Sequence, residues 1–137
     1  LMIICAKLDI ECRIIAPAEL QPATSLVQRI VEFASVAPHI SADTADVAGA
    51  DAVYTDVWVS MGEEAQTQQR ISLLRPYQVN QQLMEKTGKP DSIFLHCLPA
   101  VVGQEVTDQV YEGPQSRIWD QAENRKHTIK AIMLACM

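Results

Sequence analysis

Apolar residues along the chain alternate between short unbroken runs and stripes at helical spacing. Residues 11–16, ending in Ile14-Ile15-Ala16 and closed by Pro17, predict a first short strand. From about 22 to 37, Leu26, Val27, Ile30, Val31 and Ala34 recur on one helical face. Residues 39–42 predict a second short strand and 43–48 a short helix. Residues 52–56 predict a strand that runs into a loop over 57–62. A helix over 63–74 should stop at Arg75-Pro76, because the pyrrolidine disfavours helix in the residue before it. Pro76 suits the first turn of a further helix, expected to reach Thr87 and end at Gly88. Residues 93–96 predict a further buried strand, 104–111 a helix and 117–119 a last short strand. The final helix is expected to start with Asp120 as N-cap and Glu123 three residues on, a capping box.

The two ends break this pattern. Residues 1–8 are apolar with no residue ahead to cap free N–H groups, and 129–137 are apolar and periodic without a Gly or Asn stop. Both read as cuts through secondary structure, the first through the buried middle of a helix, and so as a fragment or a chain lacking its upstream part.

Strands separated by helices predict an α/β fold, a three-layer doubly wound parallel sheet of Rossmann-like type. Ligands bind such sheets at the carboxyl ends of the strands. There the sequence places Asp56, Ser60 and Met61 after one strand, His96 and Cys97 after the next, and Asn124 and Arg125 after the last. Each has a plain alternative. Asp56 reads equally as a carboxylate capping its loop, and 60–62 as a flexible turn before a helix. Cys97 is a small hydrophobe unless a neighbouring imidazole or cation lowers its pKa. Arg125, expected one turn into the last helix, gains nothing from the helix dipole there. It either pairs with Glu123 or holds an anion jointly with the helix N-terminus, and its position leaves the two even. His39 and His127 belong to no constellation.

Composition narrows the chemistry. The 137 residues suit one compact domain, and 48% of them are apolar, enough for a sizeable core. A net charge of −6, without clustered Lys or Arg, argues against nucleic acid and anionic membranes. No apolar run approaches a bilayer span. Four cysteines, at 5, 12, 97 and 136, form no C-x-x-C pair and no zinc-finger spacing, which points to a reduced cytoplasmic protein without a structural metal. The five glycines form neither G-x-G-x-x-G nor a Walker loop.

Several segments in fixed order carry a resemblance: Tyr54-Thr55-Asp56-Val57-Trp58-Val59-Ser60-Met61-Gly62, then Pro76-Tyr77-Gln78-Val79-Asn80, Phe94-Leu95-His96-Cys97-Leu98-Pro99-Ala100, Glu105-Val106-Thr107-Asp108 and Asp120-Gln121-Ala122-Glu123-Asn124-Arg125. Together they resemble the ornithine carbamoyltransferases, over nearly the whole chain but only that family's second, ornithine-binding half. Residues 74–76 and 126–131 are most similar to the bacterial, often catabolic, members.

The resemblance implies transfer of a carbamoyl group from carbamoyl phosphate to the δ-amino group of L-ornithine, giving citrulline and phosphate, with no metal or organic cofactor. It implies that Asp56, Ser60 and Met61 hold ornithine, with Asp56 paired to its ammonium. Cys97 would lie beside the δ-nitrogen, making Cys97 and Asp56 the catalytic pair. Carbamoyl phosphate would meet Cys97, the Leu98 backbone and Arg125. Full-length members form homotrimers largely through their first domain.

The family's carbamoyl-phosphate-binding half, with its Ser-Thr-Arg-Thr and His-Pro-x-Gln segments, is not in this sequence, nor is the first strand of the second half. The connection after Ala100 and the stretch 40–49 are shorter than usual. Two expectations follow. The chain is part of a carbamoyltransferase and inactive alone, or it is a truncated, non-catalytic module that binds an amino acid or associates.

Overall fold

A computed structural model of the chain describes residues 1–59 and 67–137. They fall into two compact units, Leu1–Val47 and Ala48–Met137.

The first unit contains α1 (Met2–Lys7), β1 (Arg13–Ile15), a 3-10 turn at Ala18–Leu20, α2 (Thr24–Val31), β2 (His39–Ser41) and a 3-10 turn at Thr44–Val47. The two strands run parallel, with Arg13 opposite His39 and Ile15 opposite Ser41. Helix α2 is half the expected length. The N–H groups of Phe33 and Ala34 both turn back to the Ile30 carbonyl, which tightens and closes the helix there. Ile30 is its buried anchor. The stripe of α1 is not the buried middle of a helix here: Ala6 is covered, whereas Ile3, Ile4 and Leu8 are exposed. Arg13 ties the strands to the second turn, donating from Nη1 to the Asp46 carbonyl at 2.9 Å.

The second unit contains β3 (Ala52–Thr55), α3 (Thr67–Leu74), a 3-10 turn at Arg75–Tyr77, α4 (Gln81–Lys86), β4 (Ile93–His96), α5 (Asp108–Tyr111) and α6 (Ile118–Cys136). Strands β3 and β4 pair in parallel, from Ala52 opposite Ile93 to Thr55 opposite His96. Val53, Met84, Phe94, Val106, Val110 and Ile118 make the core. The α/β class and the parallel pairing agree with the sequence reading, with two strands in each sheet.

Three expected elements change. The helix from Pro76 to Thr87 is interrupted, because Val79 leaves it to bridge Val106 in parallel. The helix restarts at Asn80, whose Oδ1 accepts the Leu83 N–H at 2.9 Å, and it ends as expected before Gly88, at φ +69°. The helix over 104–111 shrinks to α5, since Glu105 and Val106 are used in the pairing with Val79. Residues 117–119 are not a strand. A single parallel bridge joins Ser116 to Phe94, and α6 then opens with Arg117 as N-cap. Asp120 therefore lies within the first turn and forms no capping box, although a carboxylate there still suits the positive end of the helix dipole. The start of the helix expected over 63–74 lies outside the described residues.

Candidate active site at the carboxyl edge of the second sheet

Because β3 and β4 are parallel, Asp56 and Cys97 leave the sheet at the same edge. Side chains alternate across a strand. The register pairs Tyr54 with Leu95, so Tyr54, Asp56, Leu95 and Cys97 share one face, while Val53, Phe94 and His96 point to the other. The exposed Asp56 keeps one oxygen on its own loop, with Oδ1 accepting the Val57 N–H at 2.7 Å. Two residues on, the buried Trp58 anchors that loop to the unit.

The Cys97 thiol lies between the Asp56 carboxylate and the Tyr54 hydroxyl. Burial pushes its pKa up, and the hydrogen bond and negative charge of Asp56 push the same way, while the Tyr54 hydroxyl opposes them. Cys97 is therefore a protonated thiol at neutral pH. The His96 imidazole does not lower it, because that ring is on the opposite face. Tyr54 is pushed up to about 12, by burial first and then by Cys97. Gln121 of α6 completes the cluster: it hydrogen-bonds Tyr54, and its Oε1 accepts the His96 backbone N–H at 3.0 Å.

On the buried face, His96 Nε2 is 3.2 Å from Glu105 Oε1, and both side chains are 0% exposed. The Leu98 N–H donates to His96 Nδ1 at 2.9 Å. A backbone N–H can only donate, so Nδ1 is unprotonated and Nε2 carries the proton given to Glu105. Leu98 itself has φ +58°, a left-handed conformation that costs a Leu about 1–2 kcal/mol.

The expected site residues are brought together in part. Asp56 and Cys97 meet, with Leu98 next in the chain. Ser60 and Met61 lie outside the described residues. Arg125 is the eighth residue of α6, two turns in rather than the expected one, so the helix N-terminus is too far away to share an anion with it. Nor does it pair with Glu123, whose Oε1 is met by Lys126 at 3.5 Å and His127 at 3.8 Å. Instead Arg125 is exposed one turn beyond Gln121, on the same helical face. Tyr54, Glu105 and Gln121 were not singled out from sequence, although all three fall in the quoted segments. Among the described residues no three His, Cys, Asp or Glu side chains gather as metal ligands, and no helix is long and apolar enough to cross a membrane.

A parallel α/β unit that collects a carboxylate, a thiol, a phenol and an amide at the carboxyl edge of its strands belongs to the class that binds small polar molecules there. Comparison with known proteins is more specific. The chain belongs to the aspartate/ornithine carbamoyltransferase family: the description of its Asp/Orn binding domain matches residues 1–136. The chain is 55% identical over 141 residues to the ornithine carbamoyltransferase of Thermotoga petrophila, covering 100% of this chain and 45% of that protein. It is 57% identical to that of Pseudothermotoga lettingae, with the same coverage. The solved ornithine carbamoyltransferase of Pyrococcus furiosus superposes with a TM-score of 0.86 at 40% identity, over 96% of this chain and 43% of that one. The chain thus spans less than half the length of these relatives.

Proposed function

We propose that this chain is the ornithine-binding part of a cytoplasmic ornithine carbamoyltransferase, and that it transfers a carbamoyl group only together with a carbamoyl-phosphate-binding part. The observation that carries this reading is the Asp56–Cys97 pair at the carboxyl edge of β3 and β4, in a chain of this family. The reaction requires the δ-ammonium of ornithine to lose a proton before it can attack the carbamoyl carbon. A carboxylate beside a protonated thiol suits this step: Asp56 attracts the ammonium, whose proton passes to solvent water before attack, and Cys97 orients the neutral amine through a hydrogen bond. In this role Cys97 positions the amine without forming a covalent intermediate, which fits a thiol whose pKa is raised. Ser60 and Met61 are assigned to closing over ornithine. The Leu98 backbone and Arg125 are assigned to the carbamoyl group and phosphate, where fixed donors and cations stabilise developing charge. The product, citrulline, places the enzyme in arginine metabolism, and assembly as a homotrimer follows from the family reading.

The test is kinetic. With the complementary part of a relative supplied, Asp56→Asn removes a charge-assisted hydrogen bond worth about 1.5–3 kcal/mol, so kcat/KM for ornithine should fall about 10- to 150-fold. The affinity for carbamoyl phosphate should stay within about twofold. An Asp56→Asn enzyme with unchanged kcat/KM for ornithine would remove Asp56 from the site.

A further inference from the structure

The catalytic reading assigns work to Cys97 and Leu98 but not to the buried carboxylate beneath them. Glu105 is 0% exposed, and its Oε1 takes both the His96 Nε2–H at 3.2 Å and the Val101 N–H at 2.5 Å. Its placement is built by two segments, 78–79 and 103–107. Gly103, at φ +93°, lets the chain reverse, and its N–H bonds the Val106 carbonyl at 2.7 Å. Gln78 Nε2 donates to the carbonyls of Gly103 and Gln104 at 3.0 and 2.7 Å. The Val79 N–H bonds the Glu105 carbonyl, and the Thr107 N–H bonds the Val79 carbonyl. Glu105 is thus held on both sides in sequence, and its carboxylate spans from His96 at the end of β4 to Val101 beyond the turn.

We infer that Glu105 is the positioning residue of the His96–Val101 turn: it holds His96 in the Nε2–H form, so that Nδ1 stays free to accept the Leu98 N–H and fix Leu98 in its left-handed conformation beside Cys97. Every link is a hydrogen bond with a defined direction. If the imidazole proton moved to Nδ1, it would face the Leu98 N–H, two donors opposed, and the turn would lose the bond that holds it. The buried Oε1 determines where the proton resides, because it already accepts the Val101 N–H and presents an acceptor to the imidazole. Glu105 touches no substrate in this scheme. It acts through His96 on the backbone that the site uses, and this inference rests on the assignment of Cys97 and Leu98 to that site.

The experiment reads the imidazole directly. The chain is labelled with 15N-histidine and the tautomer of His96 is read from its ring nitrogen shifts at neutral pH. The rate at which Cys97 reacts with a neutral disulfide is measured alongside, and kcat and the ornithine KM once the complementary part is supplied. The wild-type chain should show a single Nε2–H tautomer. Glu105→Gln keeps an acceptor oxygen for Val101 and His96, so the tautomer should persist and the thiol rate stay within twofold. Glu105→Leu removes the acceptor: the tautomers should mix, the thiol rate change at least threefold, and kcat fall at least tenfold with the ornithine KM moving less than threefold. A wild-type Nδ1–H or doubly protonated ring overturns the inference, as does a Gln variant that shifts the tautomer. A folded Leu variant with unchanged thiol rate does so as well. The tautomer and thiol readouts need no carbamoyl transfer, so an inactive complemented enzyme with the expected tautomer counts against the functional proposal alone.

Discussion

Replacing Asp56 by Asn should make Cys97 more reactive, not less. Asp56 raises the thiol pKa through a hydrogen bond and through its charge, and the substitution removes the charge while leaving an amide oxygen for the Val57 N–H. Because Asp56 is exposed, its field acts through a water-like dielectric. Unit charges about 4 Å apart then interact by about 1 kcal/mol, a factor of about five in the thiolate population at fixed pH. A less basic thiolate is also a weaker nucleophile. With a Brønsted coefficient of about 0.4–0.5, about half of that gain is returned. The net expectation is a two- to threefold faster reaction of Cys97 with a neutral disulfide at pH 7.5. The rate is followed on the Cys97 peptide by mass spectrometry, so that Cys5, Cys12 and Cys136 do not contribute. In denaturant the wild-type and Asn chains should react at equal rates. An unchanged or slower reaction of the folded variant would refute the placement of the carboxylate against the thiol.

Other consequences follow from the packing. Phe94 is fully buried at the centre of β4, so Phe94→Ala should cost about 3–5 kcal/mol, read as a lowered denaturant midpoint with little change in slope. Removing the N-cap of α4 by Asn80→Ala should cost about 1 kcal/mol by the same measurement. The Asp46 carboxyl is held below its ordinary value, by the Ser41 hydroxyl first and His39 second. Its contribution to stability is therefore present above the ordinary carboxylate range and lost as pH falls through the depressed value. An NMR titration should show that low midpoint, and Ser41→Ala should move it upward more than His39→Ala.

The sequence made some elements legible because the signals are local. The strands over 52–55 and 93–96 announce themselves through clustered apolar residues, and Gly88 as a left-handed stop. What failed depends on distant partners. Nothing near Val79 says that it will leave a helical stretch to bridge Val106, and nothing near Ser116 says that one bridge to Phe94 will replace a strand. The capping box expected at Asp120 does not form, because the chain enters α6 directly from that bridge and the helix begins one turn earlier, with Arg117 as N-cap. The site shows the same division. Asp56 and Cys97 could be read as strand-end residues, whereas Glu105 acts across nine positions through a buried hydrogen bond to His96, a relation that no periodicity encodes. Segments 76–80 and 105–108, which carry part of the resemblance, come together here as the frame beneath the turn after β4.

If this chain supplies the ornithine half of a carbamoyltransferase site, it should yield citrulline only when paired with the other half. Citrulline formation from ornithine and carbamoyl phosphate tests this most directly, measured for the 137-residue chain alone and again with the remaining portion of a relative co-expressed. No product is expected from the chain alone, and carbamoyl-phosphate-dependent product is expected from the pair, abolished when Arg125 is replaced by Ala. Citrulline made by the chain alone, or a well-folded pair that makes none, would contradict this assignment.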